Sequence, residues 1–98
     1  MARPKKWRLV SKEPTVTFFK PHGVQEKKPE IVLPVDGFEA LRLTDVEGLE
    51  QDAAAKLMGI SRQTYGRILA HARRLVAQAL VFGKPLRIKG GQYKLIGE

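Results

Sequence analysis

The 98-residue chain has no cysteine, and its few aromatics are one Trp, two Tyr and four Phe. Without cysteine there is no disulfide, thiolate zinc site, iron–sulfur cluster or cysteine nucleophile, and the pattern fits a cytoplasmic protein. No apolar run approaches the roughly 18 residues of a transmembrane helix. The opening Met1-Ala2-Arg3-Pro4-Lys5-Lys6 is basic, but no apolar signal core follows it, so neither export nor a membrane is expected. Prolines are nearly confined to the first 34 residues, which hold Pro4, Pro14, Pro21, Pro29 and Pro34. Proline lacks an N–H and breaks helices, so no long helix forms before residue 35.

Hydrophobic residues make up 43% of the chain and charged residues 29%, a balance that predicts one small folded domain. A chain this short exposes much of its surface, so a compact helical core or a partner subunit has to stabilise it. The formal charge of +8 suggests a polyanionic partner. Residues 1–30 carry eight Lys/Arg against three Asp/Glu, residues 31–60 two against six, and residues 61–98 eight against one. Two basic blocks therefore flank an acidic middle, and the ends are the expected contact surface.

Residues 1–34 read as an extended basic arm with one short strand at Val16-Thr17-Phe18-Phe19. Lys5, Lys6 and Arg8 have the chemistry to reach phosphates, the alternative being a solvated terminus. Trp7, within this basic patch, suits either stacking on a nucleic acid or packing on its own domain.

Residues 35–85 predict a helical domain. Asp36-Gly37-Phe38-Glu39 has the form of a capping box opening a first helix over 37–47, with Gly48 as its stop. A second helix over 51–58 is slim at Ala53, Ala54 and Ala55, and Gly59 supplies a left-handed turn. Ser61 is an N-cap acceptor for a third helix over 62–82 that Gly83 ends. On a helical wheel Tyr65, Ile68, Leu69, Ala72, Leu75, Val76 and Ala79 share one face. Arg62, Gln63, Gly66, Arg67, Ala70, Arg73, Arg74, Ala77 and Gln78 share the other, with His71 at its edge.

The spacing of Ala55, Gly59, Ile60 and Tyr65 is that of a helix-turn-helix, although a helical hairpin with a solvated basic face fits it too. Such a unit projects the start of its second helix into the major groove, which assigns Arg62, Gln63, Thr64 and Arg67 to base edges. Ser61, His71, Arg73 and Arg74 are assigned to phosphate, with subunit contact as a second possibility for the two arginines. Glycine inside a helix costs about 1 kcal/mol against alanine, and Gly66 suits close approach by DNA or by a neighbouring helix, the alternative being a tolerated weak spot. Residues 86–98 alternate apolar and polar residues around Gly90-Gly91, the pattern of a C-terminal β-hairpin. The expected fold is mainly α: a three-helix helix-turn-helix core with an extended N-terminal arm and a hairpin tail.

The chain resembles the domain-of-unknown-function 134 family of small predicted DNA-binding proteins, whose helix-turn-helix is similar to region four of bacterial sigma factors. The matching stretches are Phe19-Lys20-Pro21 with Gly23, Glu39-Ala40-Leu41-Arg42-Leu43, Glu47-Gly48-Leu49, Met58-Gly59, Ser61-Arg62-Gln63-Thr64, Gly66-Arg67-Ile68-Leu69, Ala72-Arg73, Gly83-Lys84 and Gly90-Gly91. The resemblance implies a prokaryotic regulatory DNA-binding protein. Two departures are Glu50, where the family tends to carry Ser, and Trp7, where members often carry Cys.

His22 and His71 lack metal-ligand spacing, and no phosphate-cradling glycine loop is present. No cofactor, metal or catalytic residue is therefore expected, and the chain is not expected to be an enzyme. Sequence-specific binding of double-stranded DNA is the leading expectation. A non-specific DNA or RNA module and an adaptor touching the transcription machinery, RNA polymerase included, are the alternatives. A homodimer through Leu75 to Phe82 and the terminal hairpin is expected, because one such module buries only about 600–1,000 Å² on DNA.

Overall fold

A computed structural model describes residues 7–23 and 27–97. Three helices carry the fold: α1 (Val35–Leu41), α2 (Gln51–Leu57) and α3 (Arg62–Phe82). Five short strands accompany them: β1 (Arg8–Val10), β2 (Phe18–Phe19), β3 (Ile31–Leu33), β4 (Leu86–Ile88) and β5 (Tyr93–Leu95). They form two sheets, one ordered β1-β5 and the other β2-β4-β3. The helical core thus carries a real β component.

The two C-terminal strands do not pair with each other, contrary to the hairpin expected over 86–96. β4 lies antiparallel to β2, with Phe18 opposite Arg87, and parallel to β3, with Val32 opposite Arg87. Both its edges are therefore taken. Gly90 and Gly91 do adopt positive φ, at 73° and 96°, but their turn is laid over the start of α1. Val35 N donates to Gly90 O at 3.0 Å, and a Cβ on Gly91 would stand 2.5 Å from Asp36 Oδ1. The chain then runs on to pair β5 in parallel with β1, Leu9 opposite Lys94.

The first 34 residues supply three strands instead of the single one expected, and that one narrows to Phe18–Phe19. Val10 and Leu33 are fully buried. With Val35, Ala72 and Ile88 they form one of two apolar clusters. The other joins Ala40, Leu43, Ala54, Ala55, Met58, Tyr65 and Leu69, and holds the three helices together.

α1 starts two residues earlier than the capping-box reading places it. Its N-cap is Pro34, in extended conformation and without a side-chain cap. Asp36 and Glu39 are drawn into other contacts. Asp36 Oδ2 faces Arg8 Nε at 3.8 Å. Glu39 accepts from Arg42 at 2.9 and 3.0 Å and from Ser11 N at 3.1 Å. α1 continues as a π-helical turn, Arg42–Val46. It crosses α3 at Gly37, where a Cβ would stand 3.2 Å from Ala72 Cβ, so a larger residue would push the helices apart.

Candidate nucleic-acid interface

α2 and α3 meet through a turn in which Gly59 has φ 68°, a conformation that side chains resist. Ile60 N donates to Ala55 O at 3.1 Å and closes the turn. Ala54, Ala55 and Met58 bury against Tyr65 and Leu69. A Cβ on Gly66 would stand 3.4 Å from Gln51 Oε1. That is ordinary contact with the end of a flexible side chain, so the approach of α2 does not by itself require glycine here.

Ser61 caps α3 as its residue type predicts. Its Oγ accepts from Thr64 N at 3.1 Å and donates to Thr64 Oγ1 at 3.0 Å. The first turn of α3 contains no acidic residue, so its free N–H groups and partial positive charge suit an anion. Arg62, Gln63 and Arg67 project from this end, exposed, while Thr64 is half-buried. Arg62 lies 3.3 Å from Asp52, and both side chains are about 70% exposed, a pairing weak enough to exchange. The side chains of Gln63 and Arg67 make no hydrogen bond or ion pair to another described residue, nor do those of His71 and Arg74, both exposed.

Arg73 is in a different position from the other basic residues of α3. Its guanidinium forks onto Asp45 of the π-helical turn, at 2.6 and 3.0 Å. The arginine holds the Asp45 carboxyl below the usual range, and Asp45 raises Arg73 in turn. A residue assigned to phosphate thus already has an anionic partner.

Arg8 is brought to the start of α3 by β1. Leu9 N donates to Met58 O at 3.0 Å, and Leu9 packs against Gly59. Arg8 then lines a hollow of about 310 Å³ with Ile60, Ser61, Thr64 and Gln92. Trp7, one residue before it, is half exposed. No local pattern announces this placement, because the contacts join residues about fifty positions apart. Lys5 and Lys6 lie outside the described residues.

Among the described residues, no group of three or more His, Cys, Asp or Glu is arranged to hold a metal ion. No described helix is long and apolar enough to cross a membrane.

The family model described as protein of unknown function DUF134 matches residues 1–96. UPF0251 protein TTE1845 of Caldanaerobacter subterraneus subsp. tengcongensis is 50% identical over 99 residues, covering 100% of this chain and 84% of its own. A UPF0251 protein of Moorella thermoacetica is 51% identical over 98 residues, covering 99% of this chain and 66% of its own. UPF0251 protein CT1277 of Chlorobaculum tepidum is 46% identical over 99 residues, and the chain spans 50% of that protein. No solved structure matches the chain significantly.

Proposed function

The chain belongs to the DUF134 family of proteins of unknown function, and from that premise we propose that it binds double-stranded DNA through α2 and α3 as a sequence-specific transcriptional regulator. One observation carries this reading. The first two turns of α3, braced on α2 through Gly59, present Arg62, Gln63 and Arg67 to solvent with no acid in the first turn. Arginine pairs bidentately with guanine and glutamine with adenine, which makes this end a reader of base edges as well as a cation. Ser61 and the exposed Arg74 supply flanking phosphate contacts, while Arg8, like Arg73, already faces an acid, Asp36. The role is binding, not catalysis, and a cytoplasmic location follows from it.

A homodimer is part of the proposal. Leu80 and Val81 are 78% and 76% exposed and Phe82 51%, an apolar end on a strongly basic chain. Gln63 and Leu80 lie 17 positions apart, about 25 Å along the helix axis. Two α3 helices joined near these ends and opened to about a right angle would separate their reading ends by the roughly 34 Å of one DNA turn. Leu95 and Ile96 are exposed too, but their strand pairs with β1 beside the turn, so the dimer contact is assigned to distal α3 alone.

The test is recovery of bound fragments from a random duplex library, followed by titration of the enriched site against scrambled duplex and RNA over a salt series. Enrichment of a near-palindromic motif supports the reading. Equal binding to all duplexes and RNA, with a steep salt dependence, favours the non-specific module. Retention of RNA polymerase after nuclease digestion, with no enriched motif, favours the adaptor.

A further inference from the structure

Away from the reading end of α3, an apolar hollow of about 440 Å³ opens between β2, the distal part of α3 and β4. Its wall includes Phe19, Pro21, Val76, Ala79 and Leu86. A second hollow, of about 230 Å³, shares Phe19, Val76 and Leu86 with the first and continues toward Phe38 and Val46. The two adjoin at these shared residues, and the larger alone reaches the ~300–1,000 Å³ typical of small-ligand sites.

The groove is electrically lopsided. Lys20 and Lys84 line the larger hollow. Neither is ion-paired to another described residue, the described ion pairs all being made by arginine. Lys84 Nζ stands 5.6 Å from the Phe82 ring centre, a contact that leaves its N–H donors available. The helix-end carbonyl of Phe82, which would repel an anion, already accepts from Lys28 Nζ at 2.8 Å. At the other end the one cation is Arg42, and Glu39 and Glu47 neutralise it. An apolar trough with free ammonium groups at one end fits an apolar chain with a single anionic head. A second copy inserted into the groove itself would bring like charge to the lysines, whereas the proposed dimer contact shares only Leu80 with the groove lining.

We infer that this groove binds a free carboxylate bearing an acyl chain, the chain lying along Phe19, Val76 and Leu86 and the carboxylate at Lys20 and Lys84. The site is separate from the proposed DNA-reading end, so failure of either reading leaves the other standing. Because Leu80 lines the groove, a bound chain would lie beside the proposed dimer contact.

The experiment is calorimetric titration of the full chain with decanoate, decanol and decyltrimethylammonium, each below its micelle threshold. Decanoate should bind saturably at one site per chain and more tightly than decanol, and the cation should bind least. The double variant Lys20→Gln, Lys84→Gln changes residues outside the core clusters. It should weaken decanoate by roughly three- to tenfold, as two charge contacts at the protein surface would, while decanol is unchanged. Phe19→Ser should weaken both chains, with a melting curve confirming that it folds. Equal affinity for decanoate and decanol overturns the inference, as does an unaffected lysine variant. So does binding to phosphatidylglycerol vesicles without binding to monomeric decanoate. A protein that takes up no decanoate, whether it sediments as a monomer or as a dimer, also overturns it.

Discussion

The hydroxyl of Tyr65, in the second turn of α3, donates to the main-chain carbonyl of Ala40 in α1 at 2.8 Å. Thr44 Oγ1 completes the hydroxyl's partners, and burial pushes the phenol above its usual pKa. The ring is fully buried among the three helices. Tyr65 therefore ties the start of α3 to α1 and to the π-helical turn within this cluster. Tyr65→Phe keeps the ring but leaves a buried carbonyl short of a partner, so it should cost about 1–3 kcal/mol in urea denaturation. An unchanged midpoint would show that the bond contributes nothing net.

Under the proposed DNA binding, Arg67 and Arg74 should separate base reading from phosphate contact. Arg67→Ala should cost about 1–3 kcal/mol on the enriched duplex and relax preference at one base position. Arg74→Ala should weaken all duplexes by similar factors and make the log-salt slope shallower by about one. Uniform losses for both variants across sequences would reduce this face to an electrostatic one.

Asp45 should act as a brake on Arg73. Asp45→Asn removes the anion that occupies the guanidinium. The pair is exposed, so the stability lost should stay within about 1 kcal/mol. Duplex binding should tighten, with a log-salt slope steeper by about one as Arg73 becomes available. A slope identical to that of the unaltered chain would mean that Arg73 does not face the DNA.

Leu80→Glu places a charge on the exposed apolar end of α3. Sedimentation should shift from dimer to monomer, and the enriched palindrome should bind with the affinity of a single half-site. A monomer before the substitution, both free and on DNA at high micromolar concentration, removes the dimer.

Acid should loosen the fold through Glu39 and Asp45. Burial by itself raises the Glu39 carboxyl, but hydrogen bonds from Arg42 and Ser11 outweigh burial and hold it below its ordinary value. Arg73 does the same for Asp45. Carboxyls depressed in the folded state contribute stability that is present above their unfolded pKa values and lost as pH falls through the folded ones. Thermal midpoints should be level from pH 7 to about 5 and decline below about pH 4. Glu39→Gln should flatten that decline, and an unaltered acid limb would assign it to other groups.

Residue types and spacing determined the elements whose geometry is local. α3 runs from Arg62 to Phe82 between Ser61 and Gly83, and the turn closes at Gly59. A cap, a left-handed glycine and an apolar face depend on residues within about four positions of one another, so they can be read along the chain. Only the tertiary structure decided the rest. The capping box at Asp36 and Glu39 failed because α1 already begins at Val35 after Pro34, which puts Asp36 inside the helix, and because Arg42 and Ser11 take the Glu39 carboxylate. The hairpin failed because β2 and β3 occupy both edges of β4 and the Gly90-Gly91 turn crosses the start of α1. Arg73 met Asp45, and Arg8 came to rest beside Ser61. Each outcome turns on which of several chemically suitable partners reaches a group first in space, and that is set by the packing of distant segments.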